Sequence, residues 1–165
     1  MDRTKAKELL TLIEENSRYD ADTLAGMLDL SKEEVERMVE ELEEQHVIVK
    51  YPTLVNWEKF DENGKVTAMI DVTVTPKRDV GFDKIAERIY KFPEVKSVYL
   101  MSGAYDLSVT VEGKTMKEVA YFVSQKLATL DSVVSTATHF LLKKYKHDGV
   151  VFEESDDDKR MVVTP

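Results

Sequence analysis

Apolar residues recur at helical spacing through the first third of the chain and alternate with polar ones through most of the rest. Leu9, Leu10 and Ile13 form a short stripe that predicts a helix from about Thr4 to Glu15. Asp20 is a candidate N-cap for a second helix that buries Leu24, Ala25 and Leu28. Asp29-Leu30 makes the turn, since Asp tolerates the left-handed backbone better than most residues. A third helix opens at Ser31 with a capping box to Glu34. Its residues Val35, Met38, Val39 and Leu42 face inward, and it ends at Gln45-His46. The β-type run Val47 to Tyr51 follows, stopped by Pro52. Three short helices and a strand predict a winged helix-turn-helix.

Beyond Thr53 the pattern predicts alternating strands and helices. Leu54 to Trp57 reads as a linker strand, with Trp57 packing between domains, and Asn63-Gly64 as a tight hairpin turn. Val66 to Thr75 reads as a strand. A helix from Asp83 to Phe92 turns Ile85, Ile89 and Phe92 inward. Strands are expected at Val95 to Met101 and Asp106 to Val111. A long helix from Thr115 to Leu130 would bury Met116, Val119, Ala120, Val123 and Leu127, and a last strand runs from Val133 to Tyr145. This order is a ferredoxin-like βαββαβ arrangement, with two helices on one sheet face. The other face is expected to be bare and apolar, with Val72, Val74, Tyr99 and Leu141 in its strands, and to call for a second copy. The fold class is therefore α+β. Residues 1–52 form the winged helix-turn-helix, 53–65 a linker strand and hairpin, 66–146 the ferredoxin-like domain and 147–165 an appendix. In the appendix, Val150 to Phe152 and Met161 to Val163 would form a hairpin, or the acidic run 153–158 would leave a loose tail.

Charge complicates this picture. The 165 residues carry a net charge of −9, and 42% are hydrophobic. Residues 1–50 hold 7 Lys and Arg against 14 Asp and Glu, so the part patterned like a DNA reader is the more acidic part. Cysteine is absent, which excludes disulfides and thiolate metal sites. No apolar run approaches the ~20 residues needed to cross a bilayer. The start, Met-Asp-Arg-Thr-Lys, lacks a signal-peptide core, so a cytoplasmic protein without membrane contact is expected.

A set of features across both predicted domains resembles the Lrp/AsnC family of leucine-responsive and feast-or-famine regulators. These are Leu24-Ala25, the Leu30-Ser31 turn, Val35-x-Arg37, Leu42-Glu43, Val47-Ile48, Gly103-x-Tyr105-Asp106-Leu107 and Thr136-x-Thr138. The likeness runs from about Thr4 to Lys146. Where the family often carries Gly beside the third helix, this chain has Asp29 and His46, and its third helix is unusually acidic. The resemblance implies a transcription regulator that binds double-stranded DNA as a homodimer or a higher even-numbered homo-oligomer. It also implies modulation by an amino acid or related metabolite.

The third helix presents Glu33, Arg37, Glu40 and Glu44 opposite its apolar stripe. Arg37 is expected to pair with Glu33 and Glu40, and to leave them to reach a guanine or phosphate. Candidate DNA-contact residues are Ser31, Lys32, Arg37 and Lys50, with Arg3, Lys5, Lys7 and Arg18 as further basic groups. The same helix also reads as an ordinary solvated face. The resemblance places an effector site at Gly103, Tyr105, Asp106, Thr136 and Thr138. Turn amides there suit a carboxylate and Asp106 an ammonium group, although Gly and Asp also serve hairpin geometry alone. His46, His139 and His147 are far apart and read as surface histidines. No phosphate loop, nucleophile elbow, zinc spacing or acid–base pair occurs, so neither enzyme activity nor a cofactor or metal is expected. An alternative reading is a metabolite-sensing or protein-interaction module whose helix-turn-helix no longer binds DNA well. A third is an enzyme, because sirohaem decarboxylases resemble this architecture; their histidine- and tyrosine-rich run is not found here.

Overall fold

The structure, a computed structural model, describes residues 2–61, 64–75 and 81–152. The chain divides into two compact units, residues 1–55 and 56–165. Each has its own apolar core.

Unit 1 contains α1 (Arg3–Glu15), α2 (Ala21–Leu28) and α3 (Lys32–Glu44). Each starts where a short polar side chain accepts a bond from an amide that the helix leaves unpaired. Asp2 caps Thr4, Asp20 caps Thr23, and Ser31 with Glu34 forms the full capping box. Ala6 and Leu9 meet Leu24, Ala25 and Leu28, and Val35, Met38 and Leu42 close the core from α3. Asp29 lies at φ 54° and His46 at φ 55°, so both bracketing turns of α3 use left-handed backbone on non-glycine residues. The run 47–51, expected to supply the wing strand, carries no strand. β-branched residues favour a ladder but do not provide the partner it needs.

Unit 2 opens with a single helical turn, α4 (Trp57–Phe60), where a linker strand was expected. Trp57 is exposed and stacks edge-on with Phe60, at 6.0 Å between ring centres. The expected Asn63-Gly64 turn falls partly outside the described residues. The remaining elements are β1 (Val66–Val74), α5 (Phe82–Tyr90), β2 (Val95–Leu100), β3 (Leu107–Gly113), α6 (Met116–Phe122) and β4 (Val133–Phe140). The sheet order is β2-β3-β1-β4, antiparallel throughout, as the ferredoxin-like pattern requires.

Register settles which side chains face the helices. Ala68, Ile70, Val72 and Val74 of β1 stand beside Leu107, Val109 and Val111 of β3. They are buried against Ile85 and Ile89 of α5 and Val119 and Phe122 of α6. Val72 and Val74 thus belong to the covered face, contrary to expectation, and Leu141 lies beyond the end of β4. By alternation, the open face carries Thr67, Met69, Asp71 and Thr73 with Ser108, Thr110, Ala137 and His139. Tyr99 joins them from β2. That face is mostly polar, and its Asp71 and His139 side chains meet at 3.0 Å.

The long helix predicted from Thr115 also differs. α6 ends at Phe122 and a π turn spans Val123–Leu127, where the Ala128 amide reaches back to the Val123 carbonyl. Phe122 is buried, whereas Met116 and Ala120 are exposed. The last strand stops at Phe140 rather than Tyr145. Val150–Val151 (β6) pairs with Lys146–His147 (β5), not with residues 161–163, which lie outside the described residues. Asp148 at φ 45° and Gly149 at φ 78° make the tight two-residue turn between them.

Candidate functional site

Helix α3 is placed by its core residues and leaves Glu33, Arg37, Glu40 and Glu44 exposed. Among the described residues Arg37 makes no ion pair, so the expected pairing with Glu33 and Glu40 does not form. Its charge instead contributes to holding the Glu34 carboxyl below the ordinary carboxylate value, after hydrogen bonds from the Ser31 amide. Lys32 is engaged. Its Nζ lies 2.7 Å from Oδ2 of Asp22 in α2. The hydrogen bond to Asp22, and then its charge, raise the Lys32 ammonium above its usual value. Asp22 was missed by sequence reasoning, because ten residues separate the pair and only the packing of α2 on α3 joins them.

Ser31 is occupied as a cap, accepting from the Glu34 amide at 3.2 Å. Lys50 is exposed beyond the helix, as are Arg3, Lys7 and Arg18. Lys5 donates to the Leu28 carbonyl at 2.9 Å, which satisfies the C-terminus of α2. Besides the paired Lys32, the exposed charged groups of α3 thus comprise one guanidinium with no ion pair among the described residues and a row of carboxylates.

In unit 2 the hairpin Met101 to Asp106 joins β2 to β3. The Asp106 carbonyl accepts from the Met101 amide (2.8 Å), and the Asp106 amide donates to the Val72 carbonyl (3.1 Å). The Asp106 carboxylate oxygen Oδ2 accepts from the Val74 amide at 2.8 Å. Gly103 has φ 153°, and Tyr105 is half-buried. Thr136 pairs with Val72 and Thr138 with Ile70. Asp106 and Thr136 therefore flank Val72 from opposite sides of β1, two strand spacings or roughly 10 Å apart. Both threonines are half-buried on the helix side of the edge strand β4. The 103–106 loop and Thr136 thus lie near the Val74 end of β1, whereas Thr138, opposite Ile70, lies at its middle; Asp106 uses one carboxylate oxygen to tie the loop to β1.

The histidines do not cluster. Among the described residues no group of three His, Cys, Asp or Glu side chains is arranged to hold a metal ion. No helix is long and apolar enough to cross a membrane, among the described residues.

Comparison with known proteins supplies the context for these sites. Residues 67–151, just over half of the chain, match the Lrp/AsnC ligand binding domain. The chain is 60% identical over 161 residues to an HTH-type transcriptional regulator of Bacillus subtilis, YugG, itself uncharacterized. That alignment covers 98% of this chain and 97% of the relative. Among solved structures, transcriptional regulator NMB0573 of Neisseria meningitidis, in complex with L-Met, superposes with a TM-score of 0.70 at 26% identity. The match covers 89% of this chain and 93% of that one. AsnC of E. coli shares the fold with a TM-score of 0.67 at 19% identity, covering 87% and 94%. With a helix-turn-helix unit before the matched domain, and a relative this similar along nearly its whole length, the chain belongs to the Lrp/AsnC family of DNA-binding transcription regulators.

Proposed function

We propose that this regulator binds a free amino acid across β1, between Gly103, Tyr105 and Asp106 on one side and Thr136 and Thr138 on the other. The observation that carries this reading is the placement of the 103–106 loop and Thr136 on either side of Val72. The free lone pairs of Asp106 suit an α-ammonium group, and threonine hydroxyls suit a carboxylate. The L-Met complex of the Neisseria meningitidis relative supports an amino-acid ligand. Calorimetric titration with each of the twenty amino acids tests it. A ligand whose affinity falls in Asp106→Asn and Thr136→Val proteins is expected; no heat from any of them overturns the assignment.

DNA contact is proposed for Ser31, Lys32, Arg37 and Lys50, with Arg37 as base reader and Lys32 as phosphate contact. The chain is proposed to act as a homodimer or a larger even-numbered assembly, because two-fold symmetry sets two α3 helices on successive turns of one site. The acidic stripe makes each single contact weak and salt-sensitive, so paired binding matters more than usual. Band shifts on the gene's own upstream DNA at 50 and 200 mM salt, beside sedimentation equilibrium, check both points.

A further inference from the structure

Unit 1 contains a cavity of about 560 Å³ that the amino-acid reading does not use. This volume lies within the range of small-molecule sites, about 300–1,000 Å³. Ile13, Ala21 and Val39 supply partly exposed apolar walls over the buried Leu24 and Val35, and Tyr19 and Tyr51 line the same space. One flank is charged. Glu36, Glu40 and Glu43, at successive turns of α3, complete the lining, and no lysine or arginine takes part in it. None of the three carboxylates forms an ion pair among the described residues. The cation whose charge reaches Glu36, Lys32, is held by Asp22 instead.

Tyr51 defines the rim. Its hydroxyl donates to Glu43 Oε1 at 2.7 Å. Burial, then the Glu43 carboxylate, push that hydroxyl up to about 12, so it stays protonated and keeps donating. Glu43 is thereby oriented. An apolar pocket with two aromatic rings and an uncompensated row of carboxylates discriminates by charge. An anion meets repulsion, whereas a cation gains both the carboxylates and the negative faces of the rings. A compact, strongly hydrated ammonium would forfeit its water against the apolar walls. A cation spread over an apolar body loses little hydration on entry.

We propose that this cavity binds a lipophilic organic monocation, with its apolar body against Ile13, Ala21 and Val39 and its charge toward Glu36, Glu40 and Glu43. This is a second ligand site, in the DNA-binding unit and built on α3 itself. It does not depend on the amino-acid site of unit 2.

The test uses two ions of nearly the same shape and opposite charge, tetraphenylphosphonium and tetraphenylborate. Each is titrated into the full chain by calorimetry and by NMR of the Ile, Ala and Val methyl groups. The expected result is one phosphonium per chain, shifts centred on Ile13, Ala21 and Val39, and borate bound about tenfold or more weakly. A Glu36→Gln, Glu40→Gln protein should lose about tenfold in phosphonium affinity with its fold intact. Val39→Trp should fill the space and abolish binding. Equal binding of both ions, no binding of either, or phosphonium affinity unchanged in the glutamine variant overturns the proposal. So does sedimentation showing that Val39→Trp breaks a self-association that phosphonium does not disturb, since the cavity then receives a second copy of the chain.

Discussion

Asp22 of α2 holds Lys32 of α3 at 2.7 Å, so the one lysine of α3 is already paired. The pair is exposed, and both groups are screened by solvent. Even so, Lys32 must leave Asp22, or share it, to contact DNA. Asp22→Asn is therefore expected to raise DNA affinity roughly two- to threefold at low salt, with the gain fading as salt rises. Fluorescence anisotropy over a salt series measures this. An unchanged or lower affinity would show that Lys32 does not contact DNA.

Lys32 and Arg37 should fail differently. Lys32→Ala is expected to weaken binding about equally on all sequences and to lower the salt slope by about one. Arg37→Ala should cost about tenfold or more on the preferred site and relax the preference at one base pair. Selection of bound sequences from a random pool distinguishes the two outcomes.

In the 101–106 hairpin, the Asp106 bond to the Val74 amide predicts a structural penalty separate from any loss of the proposed ligand. Asp106→Ala removes a charged acceptor and strands a half-buried amide, a cost of about 1–3 kcal/mol. Asp106→Asn keeps an acceptor and should lose much less stability while still losing ammonium affinity. Urea unfolding beside ligand titration separates the two effects.

The helix caps set an acid limit on unit 1. Asp20 and Glu34 both have carboxyls below their ordinary values of 3.8 and 4.5, Asp20 through its bond from Thr23 and Glu34 through that from Ser31. A depressed carboxyl contributes stability that is full above the ordinary value and is lost as pH falls through the lower folded value. Unit 1 should thus lose helix stability as pH drops below about 4.5, and Glu34→Gln, which can still cap, should flatten that decline. Circular dichroism melts between pH 6 and 2 check the slope.

His46 predicts a gain. A non-glycine residue at φ 55° carries local strain, so His46→Gly should stabilise unit 1 by about 0.5–1 kcal/mol, net of glycine's looser unfolded chain. Chemical denaturation checks it, and an unchanged or lower midpoint would show that the left-handed turn is unstrained.

The elements that proved legible carry their own local signals. Val35, Met38 and Leu42 keep strict helical spacing, and the Ser31 and Glu34 box lies within four residues. The 101–106 turn was legible through a short run whose turn chemistry is local. What failed needed distant partners. Val47 to Tyr51 has strand-forming residues and no ladder neighbour. Val72 and Val74 were assigned to the open face because alternation alone does not say which parity meets the helices. Lys32 was taken as available because Asp22 faces it only after α2 and α3 pack.

The π turn after α6 gives this chain room for a change of length. Phe122 and Leu127 are five residues apart and both buried. On a regular helix that spacing would point them about 140° apart. The wider turn absorbs one residue and brings both to the same core. Removing one of the exposed residues inside it, Ser124 or Gln125, would leave a four-residue interval that an ordinary α-helix satisfies. A one-codon deletion, ruinous in most buried helices, should be survivable here, and related chains can differ in length at this turn without disturbing their cores.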